Sequence, residues 1–205
     1  MIVVDPATKS DRENYKMLVG SIIPRPIALV TTLSKDGVLN AAPFSYFSIV
    51  AFQPPLVSVS VQRNKGAMKD TARNAMDTGA FVVHIVDESN VHAANQASAS
   101  LPPDQSEIEI AGLTPVASEA VAVPGVREAK IRMECVLERS VSLGGDGSVP
   151  ACDLLIGRVV RFHFADDVYD NASGHVWADK LNPVSRLGGN FYATLGKQFA
   201  LERPK

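Results

Sequence analysis

The fold of this chain is constrained most by its strand-like segments, many of which follow one another with only short turns between them. Residues 56–62, LVSVSVQ, alternate apolar and polar side chains strictly, which is typical of a strand with one buried face. The order of such segments predicts a mainly β fold, an antiparallel barrel or sandwich with peripheral α-helices, rather than repeated βαβ units. The predicted strands cover residues 27–33, 38–42, 47–52, 56–62, 81–86, 130–143 and 153–164, with a short strand near 190–194.

Helical patterns interrupt the strands at three places. Ser10 and Glu13 have the spacing of a capping box, so residues 11–19 are predicted to form a helix that stops at the following glycine. Good helix formers between a capping region and a glycine stop predict a second helix over 70–79. A third helix is predicted over 87–99.

The 205 residues suit one domain, 1–205. Residues 100–127 show no clean period and are expected to wrap the surface rather than to link two domains, because the strands that follow are needed to complete the sheet. The net charge of −2 provides no general attraction to nucleic acid or to an anionic membrane, and no apolar run is long enough for a membrane helix. Two cysteines outside any CxxC pair, and an N-terminus without the pattern of a signal peptide, predict a cytoplasmic protein.

Several common chemistries are disfavoured by spacing. The four histidines do not form HxxxH or HExxH motifs, so no metal site is predicted. The chain has no GxSxG elbow and no Walker loop. Gly144, Gly145 and Gly147 join two strands and do not open a helix, which favours a turn over a dinucleotide-binding loop.

Three segments remain as candidate ligand-binding elements. Residues 63–73, RNKGAMKDTAR, are basic and run from a strand into a helix N-terminus, which suits either an anion site or a solvated loop. The small residues of NAAPFSYFS, 40–48, allow main-chain N–H groups to approach a flat ligand, although an ordinary strand connection has the same composition. The glycines of RLGGN, 186–190, allow a close approach or a plain turn.

Taken in order, these segments resemble one family. The series is PRPIALVTT, G-x-x-N-A-A-P-F-S, PPLVSVSV, G-x-x-KDT-x-x-N and P-x-x-R-L-G-G-x-x-Y, running from about residue 20 to residue 193. It resembles the flavin reductase-like, FMN-binding split-barrel family, and within it the flavoredoxin-like branch. The resemblance implies a six-stranded antiparallel split barrel of Greek-key type and a homodimer with FMN near the subunit interface.

The resemblance also implies a set of FMN-binding residues. The loop from Asn40 through Ala42, Pro43 and Phe44 to Ser45 would line the isoalloxazine ring, with the main chain of the last two near its polar edge. The ribityl phosphate would be surrounded by Ser60, Arg63, Gly66, Lys69, Asp70 and Thr71. The flavin would be covered by Arg186, Leu187, Gly188 and Tyr192. The family often has Asn at the position of His84, which is therefore expected to be a core or interface residue.

The resemblance leaves three functions open. The first is an NAD(P)H-dependent flavin oxidoreductase, in which the protein orients the flavin and leaves one face open to a hydride donor, without a catalytic acid or base. The second is an electron carrier with bound FMN that exchanges electrons with a redox partner protein. The third is a ligand-binding split-barrel dimer without redox activity, for which RNKGAMKDT and RLGG would have no purpose.

Overall fold

The structure is a computed structural model that describes residues 1–145 and 147–204. A short 3-10 helix, Pro6–Thr8, precedes the α-helices. The helices are α1 (Asp11–Ser21), α2 (Asp70–Thr78), α3 (Val91–Gln96), α4 (Glu107–Ile110) and α5 (Ala178–Leu181). The strands are β1 (Arg25–Pro26), β2 (Ala28–Leu33), β3 (Leu39–Phe44), β4 (Phe47–Phe52), β5 (Pro55–Gln62), β6 (Ala80–Ile85), β7 (Pro115–Val116), β8 (Gly125–Val126), β9 (Ile131–Leu143), β10 (Cys152–Phe164), β11 (Tyr169–Asp170), β12 (His175–Val176), β13 (Ser185–Arg186) and β14 (Tyr192–Ala193).

Among the described residues, seven strands form one antiparallel sheet in the order β3-β2-β6-β9-β10-β5-β4. The mainly β, antiparallel fold predicted from the sequence is confirmed, with one strand more in this sheet than the six that the family resemblance implied. The two edge strands, β3 and β4, are joined by only Ser45 and Tyr46. The N–H of Ser60 on β5 donates to the Tyr46 carbonyl at 2.9 Å. The sheet therefore curls until its two edges meet at one corner, which we call the β3–β4 corner (Phe44–Phe47).

The main core fills the inside of this curled sheet. On β5 the side chains of Val57, Val59 and Val61 are buried, as their alternation predicts. A Cβ at Gly157 on β10 would lie 2.3 Å from the Phe81 ring, so only glycine fits where the sheet is shifted in register.

Residues 100–127 differ from their prediction as an irregular surface segment. They contain α4, β7 and β8, and they bury Ile108, Leu113 and Val126 in a second apolar cluster outside the main sheet. The elements are too short to produce a recognisable period, which is why the sequence pattern did not show them.

The helix boundaries also differ in two places. The predicted capping box is present, with the Ser10 N–H donating to the Glu13 carboxylate at 3.0 Å, but α1 continues past Gly20. The third helix begins only at Val91, because Asp87 accepts the N–H of Ser89 at 2.7 Å and forms a turn in front of it. Among residues 1–145 and 147–204, no helix is both long and apolar enough to cross a bilayer.

Candidate functional site

A cavity of about 430 Å³ lies where α1, the β3–β4 corner, the start of α2, α3 and the C-terminal segment around β13 and β14 meet. Its volume is within the range of small-molecule and cofactor sites. Seven of the residues predicted to bind FMN line it: Pro43, Phe44, Ser45, Ser60, Lys69, Arg186 and Tyr192. The fold thus brings together parts of all three candidate segments.

The start of α2 forms the basic side of the cavity. Lys69 is the N-cap residue of α2, and no side chain of the described residues caps this helix. Among residues 1–145 and 147–204, no carboxylate forms an ion pair with Lys69. Ser60 and Gln62 reach the cavity from β5, where their spacing places them on one face. An uncapped helix N-terminus, an ammonium group and two polar side chains together suit an anion.

Arg63 does not line this cavity, contrary to its predicted role at the phosphate. Its Nε and Nη2 donate to the two carboxylate oxygens of Asp153 at 2.9 and 2.8 Å, and Asp153 is fully buried. The hydrogen bond from Arg63 lowers the pKa of Asp153. Arg63 therefore neutralises a buried carboxylate on β10.

Two other residues of the basic segment, Asp70 and Gly66, have structural roles away from the cavity. The Asp70 carboxylate pairs with Arg73 one turn further along α2. Gly66 has a φ of +82°, and a Cβ there would lie 2.6 Å from a methyl group of Val149, so the loop itself requires glycine. Neither residue lines the cavity.

Asn40 and Thr71 form a buried polar network beside the cavity. The Thr71 hydroxyl donates to the Asn40 Oδ1 at 3.0 Å, and the Asn40 Nδ2 donates to Glu107 on α4 at 2.9 Å. Glu107 also accepts the N–H of Ala41 at 3.1 Å, and burial raises its pKa. Ala42 packs against the main core. Asn40, Ala42 and Thr71 thus lie behind the cavity wall rather than on it.

The C-terminal segment closes one side of the cavity. Arg186 donates to the Tyr192 hydroxyl, and its guanidinium carbon lies 4.5 Å from the centre of the Tyr192 ring. The Tyr192 hydroxyl donates to Asn95 on α3 at 3.1 Å. Leu187 and Gly188 do not line the cavity, but the Leu187 carbonyl accepts a bond from Arg25 at 2.8 Å.

Sequence reasoning missed Arg25, Tyr46 and Asn95. Arg25 lies between two prolines at the start of the predicted strand in PRPIALVTT. A charged residue next to a largely apolar strand was the signal in the sequence that could have indicated a functional position. Burial is the main cause of the raised pKa of Tyr46, which lies next to Ser45 at the corner. Asn95 had no signal beyond its place in a helical pattern.

A second, more open cavity of about 1060 Å³ adjoins the first. Both are lined by Asn95, Arg186 and Tyr192, so these side chains form a shared wall. The further polar residues of the second cavity are Glu88, His92, Thr194 and Asn190, of which Asn190 also lines the first.

Comparison with known proteins identifies the family that shares this architecture. A model of the flavin reductase like domain matches residues 19–181. The structure is similar to nitrilotriacetate monooxygenase component B from Bacillus cereus, with a TM-score of 0.96, 60% identity and 98% of each chain covered. It is also similar to the 2-nitrobenzoate 2-nitroreductase NbaA from Pseudomonas fluorescens, with a TM-score of 0.89, 29% identity, and 99% of this chain and 96% of that one covered.

A flavin reductase-type protein with a split barrel domain from Shewanella frigidimarina shares the fold, with a TM-score of 0.83, 22% identity, and 97% of this chain and 96% of that one covered. The matched domain and the shared fold define the class as oxidoreductases that use a flavin and have a split barrel. The chain belongs to the flavin reductase-like family. The family and the split-barrel fold inferred from the sequence are thereby confirmed.

Proposed function

We propose that this protein binds FMN in the first cavity and catalyses the NAD(P)H-dependent reduction of flavin. The observation that carries the proposal is the cavity itself. It combines an apolar wall and a main-chain corner with Lys69 at the N-terminus of α2, where the described residues provide neither an ion pair for the lysine nor a side-chain cap for the helix.

The basic side of the cavity suits the phosphate of FMN. A phosphate monoester carries nearly two negative charges and binds best to charge-assisted donors. Lys69 and the Ser60 hydroxyl supply such donors at one side of the cavity, and the N-terminus of α2 directs the positive end of its dipole toward the same side. FAD has a pyrophosphate with an adenosine attached, so a compact site with one lysine favours FMN.

The remaining walls suit a flat, largely apolar ring. Ile27, Phe44, Val86 and Val91 present apolar surface, and Tyr192 lies on the shared wall between the two cavities. When bound, FMN would supply hydride and electron transfer at its ring. The protein would orient this ring, exclude water from one side of it and keep the other side accessible.

The second cavity would admit the nicotinamide donor. It adjoins the first across Asn95, Arg186 and Tyr192, and it is open to solvent. The most similar solved structure described above is named as component B of a monooxygenase, which agrees with a protein that passes reducing equivalents on. We propose further that the protein acts as a homodimer in the cytoplasm.

The test is a flavin titration followed by kinetics. Quenching of flavin fluorescence should give tighter binding of FMN than of riboflavin or FAD, and the FMN-loaded protein should oxidise NADH or NADPH. Binding of FMN without oxidation of either nucleotide would favour the electron carrier that takes its electrons from a redox partner protein. No binding of any flavin at micromolar concentrations would overturn the proposal.

A further inference from the structure

Arg25 is a buried positive charge on β1. Its side chain lies in the wall of the first cavity, and the residue is only 7% exposed. Within residues 1–145 and 147–204, no Asp or Glu forms an ion pair with it. Buried charges are normally paired because removal from water is costly. The counter-charge of Arg25 is therefore expected from a molecule in the cavity.

The guanidinium group is held rigidly by neutral groups. Nη1 donates to the carbonyls of Val19, at 2.7 Å, and Ile22 at the end of α1. Nη2 donates to the Leu187 carbonyl at 2.8 Å, and Nε lies 3.5 Å from the Ser45 hydroxyl. None of these groups neutralises the charge, so the cavity wall contains a fixed full positive charge.

These bonds also limit what Arg25 can do. Guanidinium has five N–H donors, and the four bonds leave one hydrogen, on Nη2, for a ligand. A two-pronged grip on a phosphate needs two parallel donors, so Arg25 is poorly suited to that role. A fixed charge in a site of low dielectric constant still acts strongly on negative charge that develops nearby.

We propose that Arg25 stabilises the negative charge that a bound flavin ring gains on reduction, and thereby raises the reduction potential of the flavin. This inference rests on the proposed function. A hydride carries two electrons and one proton from the dihydronicotinamide to the ring, so the donor becomes a nicotinamide cation and the ring gains one negative charge. Of the three cationic residues in the wall, Arg25, Lys69 and Arg186, Arg25 is the buried one, and no carboxylate of the described residues neutralises its charge.

The test measures how the protein distinguishes oxidised from reduced FMN. The midpoint potential of bound FMN is titrated anaerobically with a chemical reductant, so the result does not depend on NAD(P)H. Together with the affinity for oxidised FMN and the potential of free FMN, it gives the affinity for the reduced form. The variants are Arg25→Gln, Arg25→Lys and, as a control with the same change of charge, Arg158→Gln. Arg158 is half-exposed, pairs with Glu138 and does not line the cavity.

We expect Arg25→Gln to weaken binding of reduced FMN relative to oxidised FMN about tenfold, equivalent to a potential about 30 mV lower. Arg25→Lys keeps the charge and should retain most of the wild-type ratio, and Arg158→Gln should retain all of it. Equal losses for both redox forms in Arg25→Gln would reduce Arg25 to a structural tether and overturn the proposal.

A measurement on the wild-type protein covers the case in which Arg25→Gln does not fold. If the reduced ring stays anionic, reduction takes up one proton for two electrons. The potential then falls by about 30 mV for each tenfold decrease in proton concentration, also below neutral pH. A slope twice as steep below pH 7 would show uptake of two protons and overturn the proposal. A wild-type protein that binds no FMN would overturn the proposed function as well.

Discussion

Arg63 and Lys69 belong to one basic segment, yet the fold gives them different partners. Arg63 neutralises the buried Asp153, whereas Lys69 stands at the cavity at the start of α2. The hypothesis that both hold a phosphate therefore applies to Lys69 alone. Arg63 is now expected to contribute to stability, because its removal leaves Asp153 buried without a partner.

Lys69→Ala should weaken FMN much more than riboflavin, since riboflavin has no phosphate. A charge-assisted contact contributes roughly 1.5–3 kcal/mol, which corresponds to about a tenfold to hundredfold loss of affinity. Fluorescence titration with both flavins measures this selectivity, and added salt should reduce it.

Two neighbouring variants serve as controls. Lys65→Ala removes an exposed lysine that does not line the cavity, and it should leave both affinities unchanged. Arg63→Ala should lower the urea midpoint of unfolding and affect FMN and riboflavin to the same extent. If Lys69→Ala also lost both flavins equally, Lys69 would have no special role at the phosphate.

His84 illustrates how a buried position determines protonation. It is completely buried on β6, its Nδ1 lies 2.9 Å from the Leu29 carbonyl, and its Nε2 accepts the N–H of Val126 at 3.0 Å. These bonds require a neutral ring. Burial lowers the pKa of His84 to about 4. The expectation of a core or interface residue is consistent with this position in the core.

The lowered pKa of His84 predicts a pH-dependent stability. The unfolded chain binds a proton near pH 6.5, whereas the folded chain does so only near pH 4. The stabilisation is complete above pH 6.5 and is lost as the pH falls toward 4, by at most about 1.4 kcal/mol per pH unit. Urea unfolding between pH 7.5 and 4 measures it. His84→Asn should flatten this part of the curve, and an unchanged slope would contradict the assignment.

At the scale of single residues, the sequence indicated which side-chain types gather at the site but not all of their partners. Phe44, Ser45 and Lys69 line the cavity as predicted. Asn40 and Arg63 have equally suitable side chains, but they donate their hydrogen bonds to buried carboxylates of the protein. Asn40 donates to Glu107, and Arg63 donates to Asp153. Both acidic partners are distant in sequence, so local spacing contains no information about them.

Among the elements, α4 was not recognisable from the sequence, yet specific hydrogen bonds attach it to the edge strand β3. Ser106 caps α4 by accepting the N–H of Ile108 at 3.3 Å. Glu107 then reaches β3 through Asn40 and the N–H of Ala41, and Asn40 continues the network to Thr71 on α2. The carboxylate thus joins α4, the sheet edge and α2, whose N-cap residue is Lys69.

Glu107→Ala should destabilise the protein, because it leaves two buried N–H donors unsatisfied. We expect a loss on the order of 2 kcal/mol in the free energy of unfolding, measured by urea denaturation. Glu109→Ala, an exposed acidic residue on the same short helix, is the matched control and should change stability little. Equal stability of the two variants would show that the network does not hold α4 in place.

The elements themselves were predictable to the extent that each has a clear period of its own. The strict alternation of β5 gave its face and nearly its bounds, and the first helix had a recognisable cap. The third helix was predicted too long because the bonds between Asp87 and Ser89 favour a turn over helix. The two-residue strands β7 and β8 are too short to show alternation.

For the whole molecule, the exposed edge of the main sheet supports the proposed homodimer. On the edge strand β4, Ile49 is 79% exposed and Phe52 is 90% exposed. Exposed apolar edge strands favour association with another chain, and symmetric dimers are the commonest outcome.

Light scattering at micromolar concentration should therefore give twice the mass of 21.9 kDa. Phe52→Glu should shift the protein toward the monomer, whereas Ile110→Glu places the same charge at an exposed position on α4 and should not. A monomeric wild type would contradict the dimer. An Ile110→Glu variant that dissociates as readily would contradict the role of β4 at the interface.

The distance along the chain between the residues that Arg25 joins has a consequence for biosynthesis. The cavity wall extends from Tyr15 to Tyr192, and Arg25 bonds both the end of α1 and Leu187. A ribosome must therefore translate through Tyr192 before any nascent chain can enclose a ligand there. The proposed flavin would therefore bind only after both ends of the wall, Tyr15 and Tyr192, have been synthesised, so a shortage of flavin would not interrupt synthesis before that point.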